Sequence, residues 1–186
     1  MEFGFGSFYA GGLLPFVNYG LYSQLSNSVP GTATILESSL VGSGLGTLSV
    51  PPNNFSIGNS FRGDFGGLLS SKNNDQIRIR IKTNGVILAD SGLQTLPGNT
   101  NTVWSLSLNF TIRTLGIAGV GSIVTYANFL TIKQSNGTSE GFGFNNVNNT
   151  TFDTTIANNL EVTAQWSSNS PLNSIYSDFF VLNKIY

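Results

Sequence analysis

Histidine and cysteine are both absent from this chain, and each absence removes a branch of chemistry. Without cysteine there is no disulfide and no thiolate metal site. Without histidine there is no Ser-His-Asp or Cys-His pairing, and the commonest protein ligand of zinc, copper and non-haem iron is missing. Charge is scarce as well. Asp, Glu, Lys and Arg make up 9% of the residues, against about 25% in an ordinary soluble domain. The net charge of −1 gives no electrostatic reason to expect nucleic acid or an anionic membrane as a partner. A dispersed monomer normally relies on charged surface. A chain that draws its polarity from Asn, Ser, Thr and Gly suits a subunit packed against copies of itself, with a low-charge monomer as the plainer alternative.

Carboxylates are what remain for catalysis: Glu2, Glu37, Asp64, Asp75, Asp90, Glu140, Asp153, Glu161 and Asp178. A glycosidase needs two of them flanking a cleft. None stands in a sequence setting that raises a carboxyl pKa, and they read as surface and turn acids. The EF-hand loop is absent, and Asp153, beside an Asn-rich stretch, is the one place to look for a loop calcium. Gly116, Gly119 and Gly121 are not in dinucleotide-binding order, and no βαβ unit surrounds them. The expectation is a protein with no catalytic residue, no cofactor and no metal. Asn54, Asn109, Asn136, Asn148 and Asn149 begin N-x-S/T sequons that carry little weight in so Asn- and Ser-rich a chain.

Glu2 stands where a secretory leader would carry a basic residue. The uncharged run 114–132 has the length of a membrane span, but Gly116, Gly119 and Gly121 break its start and Asn128 interrupts its end. It reads as a turn followed by a strand, so no span is expected.

Aromatic residues and glycine are abundant instead, with 14 Phe and 22 Gly in 186 residues. Residues 1–30 interleave Phe3, Phe5, Phe8, Tyr9, Phe16, Tyr19 and Tyr22 with glycines, and no charge occurs between Phe3 and Leu36. No helical or strand period persists there. One reading is an extended arm, lying on its own domain or on a neighbour, whose aromatics serve assembly. The other is a short first strand plus coil of the same domain.

Residues 31–186 alternate short apolar runs with turn signals. Ile77, Ile79 and Ile81 face one way and Arg78, Arg80 and Lys82 the other, and Asn84-Gly85 predicts a tight hairpin into 86–89. Trp104, Leu106, Leu108, Phe110 and Ile112 alternate with polar residues, as do Leu160, Val162, Ala164 and Trp166. Further strands are expected over 32–40, 48–50, 55–65 (broken at Gly58 and Gly63), 123–133 and 175–185, with turns at 42–46, 116–121 and Asn136-Gly137. Residues 141–153 read as loop. The last strand is apolar on both faces, which suits a central strand or a subunit contact. Eight to ten antiparallel strands without a helix point to an all-β sandwich of one domain, a size that can bury a real core. A jelly roll leads and an immunoglobulin-like sandwich follows. Arg78, Arg80 and Lys82 form a short basic stripe, with Arg113 as a candidate to extend it. It suits the solvent or inter-subunit face of a two-sided strand better than a polyanion contact.

Three stretches together resemble a jelly-roll module recurrent in structural proteins of tailed bacteriophages and large DNA viruses. They are Asp75-Gln-Ile-Arg-Ile-Arg-Ile-Lys-Thr-Asn-Gly-Val-Ile-Leu-Ala-Asp-Ser-Gly92 with Thr95-Leu-Pro97, Trp104-Ser-Leu-Ser-Leu-Asn-Phe-Thr-Ile-Arg-Thr-Leu-Gly116, and Asp153-Thr-Thr-Ile-Ala-Asn-Asn-Leu-Glu-Val-Thr-Ala-Gln-Trp166. The resemblance covers about two thirds of the chain and leaves residues 1–60 unmatched. It implies a single jelly roll of the virion, a penton or minor capsid subunit assembled in the host cell. Such a subunit works by self-assembly, with pentamers favoured over trimers and neighbouring capsid proteins as partners. A trimeric fibre, tail or head-decoration protein that binds a host receptor or glycan is the alternative it leaves open, with residues 141–153 as the binding surface. A lectin or carbohydrate-active enzyme on the same fold comes third.

Overall fold

Period-two alternation sets the long strands. On the strand over 99–114, Trp104, Leu106, Leu108, Phe110 and Ile112 are all buried, and the residues between them face outward. The computed structural model describes residues 19–186. In chain order the strands are β1 (Tyr19–Gln24), β2 (Ser38–Ser39), β3 (Gly44–Gly46), β4 (Ser49–Val50), β5 (Ser60–Ser71), β6 (Gln76–Thr83), β7 (Val86–Asp90), β8 (Gln94–Thr95), β9 (Asn99–Thr114), β10 (Ser122–Ile132), β11 (Ser139–Asn149), β12 (Asn158–Trp166) and β13 (Ser174–Lys184). Nine of these have five residues or more, which is the expected eight to ten.

The strands form two packed antiparallel sheets, a sandwich. One sheet has seven strands in the order β11-β10-β9-β5-β13-β1-β3. The other runs β2-β12-β6-β7, with β4 also on β12 and β8 also on β6. Each sheet sets a late strand beside an early one, β13 next to β5 and β12 next to β6. That return is the mark of Greek-key sandwiches. By contrast β9, β10 and β11 run as a meander within one sheet.

The core lies between the sheets. Ile77, Ile79 and Ile81 are fully buried, each worth about 2 kcal/mol of transfer free energy. Opposite them, Phe65 stacks on Phe180 at 3.8 Å between centroids, and Trp104, Phe129 and Phe142 form a stacked row at 5.6 and 4.9 Å. Both indole N–H groups are used. Trp104 Nε1 donates to the carbonyls of Leu68 and Tyr176, and Trp166 Nε1 to that of Gly31. Asn84 and Gly85 both have positive φ, 46° and 80°, as the two central residues of a type I′ hairpin require.

Several expectations change on contact with the structure. Residues 19–30 are part of the sandwich. β1 pairs with β13 on one side and β3 on the other. Tyr22 is buried, its ring 5.4 Å from Phe180 and its hydroxyl donating to Gly42 O at 2.5 Å. The amides of Ser28 and Gly31 continue the ladder along β13. The domain therefore begins before residue 31, because Tyr22 has a core position to fill. Of the residues assigned to an arm, Phe3, Phe5, Phe8, Tyr9 and Phe16 lie outside the described residues.

Gly63 does not break β5. A Cβ there would stand 3.1 Å from Leu108 and 3.3 Å from Phe180, so the glycine is a close-packing position inside the strand. Of residues 141–153, read as loop because of their asparagines, 141–149 belong to the edge strand β11 on β10. The turn at 42–46 yields the short strand β3. The strand over 32–40 shrinks to β2, because residues before it cross the outer face of the second sheet instead of pairing. The uncharged run 114–132 is the end of β9, a turn and β10. Among the described residues no helix is long and apolar enough to cross a membrane.

Candidate functional site

The basic stripe on β6 is neutralised where it stands. Arg78 makes a fork with Asp90, with Nε–Oδ1 at 2.8 Å and Nη2–Oδ2 at 2.5 Å. Arg80 reaches Asp90 at 3.3 Å and is hydrogen-bonded to Glu37, and it also donates to Gln165 Oε1 at 2.8 Å. Lys82 lies 2.5 Å from Glu37 and 3.7 Å from Glu161. Three cations thus meet three acids. Burial pushes the Glu37 and Asp90 carboxyls up, but the hydrogen bonds and charges of Lys82 and Arg80 on one, and of Arg78, the Gly92 amide and Arg80 on the other, bring both below the ordinary range. Arg113 does not join the stripe. It lies on β9 in the other sheet, exposed, donating to Asn148 Oδ1 at 3.0 Å. What the stripe does is anchor the crossing segment before β2, since Gln165 Nε2 also donates to Ile35 O at 2.8 Å.

Asp75 and Asp153 are also committed. Asp75 is buried at the turn into β6, and its carboxylate accepts from Ser167 Oγ at 2.7 Å, Asn173 Nδ2 at 2.7 Å, Ser168 Oγ and the Gln76 amide. Burial alone pushes this carboxyl up, and the four hydrogen bonds overcome it and hold it well below the usual carboxylate range. Asn173 Oδ1 accepts from the Lys72 amide in turn, so this knot ties the β5–β6 turn to the β12–β13 connection. Asp153 accepts from the side chain and amide of Thr155, a local Asx turn that gathers no further ligand. Among the described residues no group of three His, Cys, Asp or Glu could hold a metal ion.

The outer face of the seven-stranded sheet carries polar groups not absorbed by the fold. The register sets its side chains in rows. Asn145, Tyr126, Asn109, Arg62 and Asn183 lie side by side across β11, β10, β9, β5 and β13. The next row is Gly143, Asn128, Ser107, Asp64 and Val181, and the one after it Gly141, Leu130, Ser105, Gly66 and Phe179. Tyr126 is 52% exposed and Phe179 49%. A Cβ built on Gly143 would lie 3.8 Å from Tyr126 Oη and 3.9 Å from Asn128 Oδ1. The Tyr126 hydroxyl therefore reaches across to the neighbouring strand, to ordinary contact distance of a position that has no side chain, and its half-exposed ring stands on the sheet face. Arg62 and Asp64 close a fork at 2.9 and 3.3 Å, and Ser107 Oγ donates to Asp64 at 2.9 Å, so the face carries no net charge there.

An aromatic face flanked by amides and an internally paired ion pair offers stacking plus paired donors and acceptors. It suits an uncharged polar ligand or a flat protein surface. Sequence reasoning placed β10 correctly but did not single out Tyr126, Asn128 and Leu130. The available signal was their shared parity on a strand whose other face is core.

No family model matches the chain, and no curated protein matches it. Among solved structures, the CBM2 module of the evolved Dit of Lactobacillus casei BL23 phage J-1 is similar at 12% identity over 74% of this chain and 67% of that chain, with a TM-score of 0.33. So loose a likeness carries no argument about this protein.

Proposed function

We propose that this chain is a non-catalytic binding module of a virus particle, of the fibre, tail or head-decoration kind, that holds a host receptor or glycan on the outer face of its larger sheet. The observation that carries this reading is Tyr126 reaching toward Gly143 between Asn109, Asn128 and Asn145. Sugar rings present C–H faces to aromatic rings and hydroxyls to amides, and Arg62, beside Tyr126 in the register, is paired to Asp64, which favours neutral over acidic sugars at that point. Glu37, Asp64, Asp90, Glu140 and Glu161 are held in ion pairs and Asp75 in a hydrogen-bonded knot, which favours a non-catalytic reading. The viral assignment rests on the resemblance of the stretches 75–97, 104–116 and 153–166. The jelly-roll class belongs to the same reading, with the two late-strand returns in its favour.

The test is a glycan-array screen of the full chain followed by titration of any hit against Tyr126→Ala. Binding to a neutral glycan, weakened at least tenfold by the substitution at unchanged melting temperature, supports the reading. An array with no hit, or a hit indifferent to Tyr126, defeats it.

A second reading is a single jelly-roll capsid subunit, penton or minor capsid, that closes into a ring with copies of itself. The low charge favours it, as do Leu115, Ile117 and Val120, all exposed on the β9–β10 turn. A ring repeats one heterologous contact until it closes. Light scattering on the full chain distinguishes the two. A closed pentamer, disrupted by Phe8→Asp, argues for the capsid subunit, and a trimer for the fibre kind.

A further inference from the structure

At the end of the sandwich where β13 begins, a cleft of about 460 Å³ opens between the β5–β6 turn, the start of β9, the turn after β10 and the β12–β13 connection. That volume lies within the roughly 300–1,000 Å³ of small-molecule sites. Among the described residues, Lys72 is the one charged side chain on its lining. The Lys72 amide donates to Asn173 Oδ1 at 2.9 Å, which fixes the base of an exposed side chain.

The side-chain amides of Asn73, Asn99, Asn101 and Gln134 also line the cleft, and the fold uses all four in the same sense. Asn73 Oδ1 accepts from the Gly98 amide at 3.1 Å, Asn99 Oδ1 from the Gln134 amide at 3.0 Å, and Gln134 Oε1 from the Thr100 amide at 2.9 Å. Asn101 Oδ1 accepts from Ser70 Oγ at 3.3 Å, and that hydroxyl in turn accepts from the Asn101 amide at 3.0 Å. Each oxygen is thus set by a donor that admits no amide flip, and each NH2 group is left over. Asn73, Asn101 and Gln134 are exposed. Asn99 is buried on the floor, and among the described residues its Nδ2 has no acceptor, a condition that calls for one.

The cleft therefore presents one cation and a surplus of N–H donors, with its own amide acceptors taken. We infer that it binds an acidic sugar, with the carboxylate on Lys72 and the amide NH2 groups and the ring C–H face against Leu172, an exposed apolar residue of the wall. A carboxylate only accepts, and its bonds from such donors are charge-assisted. The sugar rests on the binding-module reading, whereas the preference for negative charge rests on the cleft alone and is opposite to that at Tyr126. Ser70, on the cleft, is about 25 Å along β5 from Arg62, which stands in the Tyr126 row, at roughly 3.3 Å per residue. The two sites can be tested separately.

The full chain is titrated calorimetrically with glucuronate and N-acetylneuraminate, beside glucose as the neutral control and acetate as the bare carboxylate. One of the sugar acids should bind at least tenfold more tightly than either control. Lys72→Gln should weaken it at least tenfold, and so should Asn101→Asp, which keeps the oxygen that Ser70 Oγ uses and puts a negative charge where the NH2 group stood. Both variants should melt like the unaltered protein, and Tyr126→Ala should bind the acid unchanged. Acetate binding as tightly as the sugar acids overturns the sugar, and loss of binding in Tyr126→Ala but not in Lys72→Gln moves the site to the sheet face. No binding of either acid overturns the inference while leaving the neutral-glycan reading of Tyr126 standing.

Discussion

Glu37 and Arg80 are 43 positions apart in sequence, yet they form the ion pair that fastens the segment before β2 to the outer face of the second sheet. Lys82 shares the same carboxylate. Replacing Glu37 by Gln leaves both cations facing only Asp90, Glu161 and Gln165, and should cost about 1–2 kcal/mol, since the pair is partly shielded but not deeply buried. Urea unfolding checks it. The loss should also appear as faster amide exchange at Leu40, whose N–H bonds Val162 O across the fastened segment.

Asp75 makes stability depend on pH in a defined direction. Its folded-state pKa is depressed below the ordinary unfolded value of about 3.9, so its contribution is present in full above that value. It is lost as pH falls through the acid range toward the folded pKa. Asp75→Asn should lower stability by about 2 kcal/mol at pH 7, because an amide cannot accept from Ser167, Ser168 and Asn173 together. The variant should also flatten the acid limb of the stability curve below about pH 4. Denaturation midpoints of both proteins between pH 7 and pH 2 decide this, and parallel curves would contradict it.

Thr125 is fully buried on β10, and among the described residues its hydroxyl has no hydrogen-bond partner. Thr125→Val keeps the shape and removes the stranded polar atom, and should stabilise the protein by about 1 kcal/mol. A higher urea midpoint at unchanged slope is the expected measurement.

Gly143→Val separates binding from folding. A β-branched residue suits a strand, so the fold should be as stable or slightly more so. The new methyl groups would fill the surface beside the Tyr126 hydroxyl, which stands 3.8 Å from the Cβ position. Affinity for any neutral glycan bound by the unaltered protein should fall about tenfold, or about 1.4 kcal/mol, with Ser139–Asn149 still paired to β10 by amide exchange.

Much of the sandwich is legible in the sequence where one face of a strand is core. Ile77, Ile79 and Ile81, or Trp104 through Ile112, announce both the strand and its inner face, and Asn84-Gly85 fixes the first hairpin. The same logic fails at β11, whose Gly and Asn content hides a strand that needs only β10 beside it and bulk at Phe142 and Phe144. It fails at Gly63, where a glycine that looks like a break packs closely against Leu108 and Phe180 inside the strand. The basic stripe could be seen, but not its partners, because Glu37 arrives from another part of the chain. The exposed Tyr126 face was hidden for the same reason. Tyr126 and Gly143 meet only once β10 and β11 are paired, and neither residue is unusual alone.

The placement of β13 beside β5 and of β12 beside β6 also governs how the molecule is made. Each sheet has an inner strand that stays unpaired along one side until a strand more than 70 positions later is available, as the partners Ile77 and Trp166 illustrate. During synthesis the ribosome therefore releases β5 and β6 as sticky, half-satisfied edges, and the second sheet is complete only when β12 has emerged, the first only when β13 has. Folding is dominated by distant contacts, which makes it slow. The nascent chain is most exposed to aggregation in the interval between the emergence of β6 and that of β13.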